Sequence, residues 1–251
     1  MGSEEFSEKV IILRIGRFKE ADCWVRFFSP SKGQCTAFAF GGLKSKRRFC
    51  GCLEALNYIL AHVSSSKKKG YLCLNESILL QRFSAMQKNP LRMGMAVNCI
   101  KFLEAAHIGF ENAFQAFELL HSTLKVLLDP SPLPDLFPLL FRAKLTCDYG
   151  YHPDFINCSQ CGQQVETGQR LYFFPESGSC VCFSCSGKKA NGNIISGQTL
   201  ILLDNLMQSN PTGWQEQNIP DNIRGECFAV LDNLVQYHTG LIWNGNHFKS
   251  N

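Results

Sequence analysis

From Lys9 to about Phe83 the apolar residues come in short runs rich in Val, Ile, Phe and Cys, broken by turn residues. That rhythm predicts a small antiparallel β domain. Its predicted strands are Val10–Ile15, Cys23–Phe28, Gln34–Phe40, Glu54–His62 and Tyr71–Gln81, and Ser29-Pro30-Ser31-Lys32-Gly33 reads as a hairpin turn in which Gly33 takes positive φ. Five strands in so short a stretch fit an OB-type barrel, which closes on itself and leaves no sheet edge. An open five-stranded sheet has the same periodicity.

After Asn89-Pro90 the period becomes helical. Met93, Val97, Ile100 and Leu103 to His107 share one face, and Phe114, Phe117, Leu120, Leu124 and Leu127 share a face of the next helix. Asp129-Pro130-Ser131-Pro132 stops that second helix. A third is predicted from Leu133 or Pro134 through Leu136, Leu140 and Ala143 to Cys147, ended by Gly150. Between Asn157 and Lys189 lies a cysteine-rich insert with one apolar strand, Leu171–Phe174. Two further helices follow, Ser196–Met207 with Ser196 as its N-cap, and one marked by Ile223, Cys227, Val230, Leu231, Leu234 and His238. The expected class is therefore α+β with several domains: an OB-fold barrel over 1–83, a helical bundle over 84–156, a metal-binding insert over 157–190 and a return to the bundle over 191–251.

Composition sharpens this in three ways. With 251 residues and 45% hydrophobic content the chain can bury a core. No apolar run approaches the ~20 residues of a membrane-spanning helix, and the first residues are acidic rather than signal-like, so a cytoplasmic protein is expected. The 13 cysteines, an odd number, then read mainly as small buried residues and metal ligands rather than disulfides. Residues 1–80 hold 13 of the 25 Lys and Arg but 7 of the 21 Asp and Glu, a net +6 that leaves −2 for the remainder. A polyanion is steered to the β domain.

The densest basic cluster is Lys44-Ser45-Lys46-Arg47-Arg48, directly after Gly41-Gly42. The glycines permit a sharp turn that projects the cations together, and the Ser45 hydroxyl can donate to a phosphate oxygen. Arg14, Arg17, Arg26 and Lys32 lie on neighbouring elements. Among Trp24, Phe27, Phe38 and Phe49 the alternation of strand faces leaves one or two at the surface, and Trp24 is the chosen platform for stacking an unpaired base. Lys67-Lys68-Lys69, after three serines, reads as a solvated loop tip.

Cys158, Cys161, Cys182 and Cys185 form two C-x2-C knuckles, the spacing of a tetrathiolate zinc site. Four thiolates close the shell of a structural Zn2+ and leave no position for reactive water. Cys180 also has a feasible spacing, C-x4-C. The match of Cys182-Phe-Ser-Cys185 to Cys158-Ser-Gln-Cys161 favours Cys182. Phosphate-loop, H-E-x-x-H and G-x-S-x-G signatures are absent, as is the zinc-deaminase pattern, so a protein that is not an enzyme is expected.

The order of parts, with Gly16-Arg17-Phe18-Lys19-Glu20-Ala21-Asp22, Gly41-Gly42-Leu43-Lys44-Ser45-Lys46, Tyr149-Gly150-Tyr151-His152-Pro153-Asp154 and the knuckle Cys158-Ser-Gln-Cys161-Gly162, resembles the RecO family of bacterial recombination mediators. Phe248-Lys249-Ser250 resembles that family's closing K-S-R, with Asn251 in place of Arg. The resemblance implies an OB-fold that binds single- and double-stranded DNA and anneals complementary strands. It also implies partnership with RecR and single-strand binding protein in loading RecA. Recognition of the acidic, apolar tail of single-strand binding protein calls for a groove with a cation at its rim, for which Arg142 and Lys144 are the candidates. A competing reading, a zinc-containing protein scaffold with incidental DNA binding, predicts weak binding that is indifferent to the basic loop.

Overall fold

The computed structural model describes residues 4–66, 70–187 and 192–250; the Lys67-Lys68-Lys69 tip lies outside the described residues. The chain folds into two compact units. One holds the residues up to Gly94 together with His107–Leu128, the other Met95–Ala106 and Asp129–Asn251. The segment expected as one helical stretch over 84–156 is thus shared between both.

In the first unit β1 (Glu4–Arg17), β2 (Cys23–Ser29), β3 (Gly33–Ala39), β4 (Asn57–Ser66) and β5 (Tyr71–Arg82) form a closed barrel in the order β1-β2-β3-β5-β4, with β4 returning to pair with β1. Val10, Ile12, Val25, Phe27, Ala37, Ile59, Ala61 and Val63 are fully buried in its core. A bulge in β1 decides what faces outward: Ile12 pairs with Phe27, yet Arg14 pairs with Arg26, so Leu13 is the extra residue. Without it strict alternation from Ile12 would turn Arg14 into the core. Strand β4 begins at Asn57 instead of the expected Glu54 because the chain first turns through Leu56, which has φ 70° and a buried side chain, its N–H donating to Ile12 O at 2.8 Å. Asn57, fully buried, donates to the carbonyls of Gly51 and Cys52 at 3.0 Å each.

Helix α1 (Pro90–Ala105) carries the boundary between the units. Helix α2 (Ala113–Leu128) belongs to the first, where Phe117 and His121 pack on Tyr58. The Arg92 guanidinium donates to the carbonyls of Val126 and Leu127, at 3.3 and 3.2 Å, placing a cation at the negative end of α2.

In the second unit α3 (Phe137–Asp148) packs against α5 (Gly197–Gln208) and α7 (Asp221–Thr239), beside the short α6 (Pro211–Glu216). Helix α3 begins at Phe137, later than expected. Pro134 disfavours helical geometry at Leu133, and the chain turns there with Phe137 N–H donating to Pro134 O at 3.0 Å. The cysteine-rich insert contributes β6 (Asp154–Cys158), β7 (Arg170–Phe174), β8 (Ser179–Cys182) and the single turn α4 (Phe183–Ser186). With β9 (Asn193–Ser196) its strands make a sheet in the order β6-β8-β7-β9, so the one expected strand is joined by three others. Ser196 caps α5 as expected, accepting from Thr199 N–H at 3.3 Å. A hairpin of β10 (Leu241–Trp243) and β11 (Phe248–Ser250) follows α7. Among the described residues no helix is long and apolar enough to cross a membrane.

Candidate nucleic-acid interface and metal centre

The barrel wall outside β1, β2 and β3 presents two cross-strand rows. Arg14, Arg26 and Thr36 form one, and Gly16, Trp24 and Phe38 the other. Trp24 is half-buried, and its indole lies so close over Gly16 that a Cβ there would overlap it, while Arg26 stands 5.9 Å from the ring centre. Phe38 extends the row into a cluster with Phe18 at 5.2 Å, Tyr71 at 5.4 Å and Phe40 at 6.1 Å between ring centres. Phe18 and Phe40 are 51% and 40% exposed, so this is no core. Of the four aromatics weighed from the sequence, Phe27 and Phe49 are buried, and Trp24 and Phe38 face outward. Phe18, Phe40 and Tyr71 went unrecognised. Their signal is weak, because Phe18 and Phe40 lie just past strand ends, where alternation no longer assigns a face.

The loops beside this cluster are tied together. Asp22 Oδ1 accepts from Gly41 N–H at 2.7 Å, and Leu43 N–H donates to Ala21 O at 3.0 Å. Gly41 has φ 67°, and a Cβ on Gly42 would press on Ala39 and Leu53 at 3.0 Å. That accounts for the glycine pair. Lys44, Lys46 and Arg47 are exposed on the loop, with Lys44 3.7 Å from the still more exposed Glu20. Arg48 is engaged by the fold: it donates to the carbonyls of Phe40 and Asn75 and lies 5.0 Å from the Phe49 ring. Ser45 Oγ accepts from Arg48 N–H at 3.2 Å, which leaves its own proton to donate. Arg17 is exposed at the end of β1 beside Phe18. Lys32 is the outlier, in the β2–β3 hairpin at the opposite end of these strands, its Nζ 4.8 Å from the Phe6 ring.

In the second unit the Sγ atoms of Cys158, Cys161, Cys182 and Cys185 lie within 4.8 Å of one another. The pairs Cys158–Cys182 and Cys161–Cys182 are 3.7 and 3.9 Å apart. A tetrahedral ion with metal–sulfur bonds of about 2.3 Å requires sulfurs about 3.8 Å apart, so the group fits such an ion. Partial burial opposes ionisation of Cys158, but main-chain N–H donors from Cys161, Cys182 and Gln160 outweigh it and bring the thiol down to about 6. Cys185, hydrogen-bonded to the sulfurs of Cys182 and Cys161, is pushed up to about 12. The crowded sulfurs thus compete for protons, and a bound cation would displace them. Cys180 stands apart, buried, its Sγ 3.1 Å from Asn157 O. The sheet is fastened to α7 through Glu226, whose carboxylate accepts from Ser196 N–H at 2.9 Å, from Ser196 Oγ and Thr199 Oγ1 at 2.7 Å each, and from Arg170 at 3.2 Å.

Arg142 and Lys144, the candidates for the cation at a groove rim, are both engaged within the fold. Arg142 is buried at 8% exposure, donates to Asn98 Oδ1 at 2.8 Å and lies 5.5 Å from the Phe248 ring. Burial holds its pKa below the usual guanidinium value. Lys144 pairs with Asp148 at 3.0 Å.

Comparison with known proteins covers nearly the whole chain. The family model described as Recombination protein O N terminal matches residues 1–83, and Recombination protein O C terminal matches residues 87–246. The chain is 40% identical over 245 residues to the DNA repair protein RecO of Oleidesulfovibrio alaskensis, covering 98% of this chain and 99% of that one. It is 41% identical over 251 residues to that of Solidesulfovibrio magneticus, with 97% and 98% covered. With that of Lawsonia intracellularis it shares 31% over 250 residues, again with 97% and 98% covered.

Proposed function

The chain belongs to the recombination protein O family of DNA repair proteins, and from that premise we propose that its barrel grips unpaired DNA strands and brings complementary strands together, without consuming nucleotide or catalysing a reaction. A role in DNA repair and recombination follows from the family itself. The observation that carries the finer reading is the outward-facing cluster of exposed Phe18 and Phe40 with half-buried Phe38 and Tyr71, continuous with Trp24 and bordered by Arg14, Arg17, Arg26, Lys44, Lys46 and Arg47. Rings outside a barrel add nothing to its core. Each that stacks on a base contributes about 1–3 kcal/mol regardless of sequence, while the cations neutralise phosphates and weaken repulsion between two strands.

On the same reading the ion held by the cysteines is a structural Zn2+, residues 1–83 form the DNA-binding domain, and a helical domain carries the insert at 157–190. The protein works in the cytoplasm. RecR, single-strand binding protein and, through them, RecA loading are the partners the family likeness suggests. For the acidic tail of single-strand binding protein Lys144 is the direct contact of the proposed pair, with Arg142 supporting α3 from within.

The test is fluorescence anisotropy with single-stranded and duplex DNA of equal length. Replacing Phe18, Phe38 and Phe40 by alanine is expected to weaken single-strand binding at least tenfold and spare duplex binding, because paired bases offer no free face. Replacing Lys44, Lys46 and Arg47 by alanine is expected to weaken both. Equal losses on both DNAs in the aromatic variant would sink the stacking role.

A further inference from the structure

The C-terminal hairpin carries chemistry that the barrel leaves unused. Trp243 of β10 stands directly opposite Phe248 of β11, their ring centres 4.8 Å apart. Phe248 is buried, with Phe102 of α1 edge-on at 5.1 Å and the Arg142 guanidinium at 5.5 Å. Lys101 brings its Nζ within 5.7 Å of the Trp243 ring centre and is fixed there by donating to the main-chain and side-chain oxygens of Asn246. Two neighbouring rings thus stand between two cations, in the outward order Arg142, Phe248, Trp243, Lys101.

The inner half of this series anchors the terminus. The outer half is open. Trp243 is 36% exposed, and its indole N–H finds no acceptor among the described residues, whereas Trp214 is fully buried and donates to Leu206 O at 2.8 Å. Lys249, exposed, extends from the other face of the same two strands, opposite Ile242. An exposed indole with Lys101 against its ring, and Lys249 on the reverse face of the same narrow two-stranded hairpin, matches a ligand that has both planar and anionic groups and that passes around the hairpin edge.

We propose that Trp243, with Lys101 and Lys249, is a second contact for an unpaired nucleic-acid strand, a base stacking on the open indole face and phosphates meeting the two lysines. The proposal rests on the strand-pairing reading above, since pairing requires that two strands be held and the barrel wall accounts for one. The acidic peptide is the competing ligand; its carboxylates suit the lysines but leave the indole face unused.

The test uses the full chain, wild type and Trp243→Phe, the latter keeping a ring against Phe248. Tryptophan emission and the anisotropy of a labelled oligothymidylate are followed in the same titration. The expected result is quenching of wild-type emission beyond any seen in Trp243→Phe, with Lys249→Glu requiring about tenfold more strand for that component, the loss of roughly one supported base contact. Strand bound by anisotropy with identical quenching in both proteins overturns the second contact and leaves the barrel reading intact. No anisotropy change at all overturns the barrel reading, and this inference with it. Quenching by polyglutamate but not by oligothymidylate assigns the hairpin to an acidic peptide and overturns the nucleic-acid assignment.

Discussion

Trp24 lies across Gly16, and that contact explains a glycine in a strand that would otherwise favour a β-branched residue. Gly16 is outside the positive-φ set, so its requirement is space and not backbone freedom. Gly16→Ala is therefore expected to lift the indole off the wall, costing about 1–3 kcal/mol in a urea unfolding titration and weakening single-strand binding through the displaced ring. Unchanged stability together with unchanged binding would show that the indole is not held by this contact. The glycine was legible as part of a short motif; the reason for it was not, because it lies in the strand opposite. Arg48 and Arg142 teach the same limit for charge. A run of cations does not reveal which guanidinium the fold spends on its own carbonyls, as Arg48 does on Phe40 and Asn75. Arg142 was read as a rim cation, which requires an amphipathic α3, yet Phe137, Leu139, Leu140, Phe141, Ala143 and Leu145 are buried around much of its circumference.

Among the elements, the five barrel strands were legible because alternation in β2 and β3 is nearly strict, and β2 was misjudged by only its last residue. The bulge at Leu13 was hidden, since an apolar residue at the extra position looks like any other strand residue. The knuckles were legible through spacing alone. The sheet built around them was not, as β6, β8 and β9 are four or five residues each and carry too few side chains to establish a period. Besides the Phe155–Phe173 stack the sheet buries only Leu171, Val181, Ile195 and a few small neighbours, so an ion held by the four thiolates would add substantially to its folding free energy, on the order of 10 kcal/mol in isolated metal-binding peptides. Cys161→Ser with Cys185→Ser is accordingly expected to abolish zinc binding and lower the thermal midpoint of the second unit, and the cobalt-substituted wild type should give the absorption of four thiolate ligands. Retained zinc and an unshifted midpoint would refute the ligand set.

At the scale of the molecule the net +6 of residues 1–80 and the −2 of the remainder were legible from a count, whereas which cations lie beside the aromatic wall emerges only from the fold. Lys32 belongs to the same count but sits in the far hairpin, and Arg48 donates to the carbonyls of Phe40 and Asn75, while Arg14, Arg17, Arg26, Lys44, Lys46 and Arg47 border the aromatic wall. Counterion release turns that difference into a number. Each single-strand phosphate neutralised contributes about −0.7 to the slope of log affinity against log salt, so six contacts give about −4, and the Lys44, Lys46 and Arg47 alanine variant about −2. The aromatic variant should lose affinity at every salt concentration while keeping the wild-type slope, because stacking releases no counterions. Both slopes are read from the same anisotropy titrations across a salt series. A triple-lysine-and-arginine variant with the wild-type slope would move the phosphate path off this loop, and a flattened slope in the aromatic variant would mean that the rings position the cations instead of holding bases.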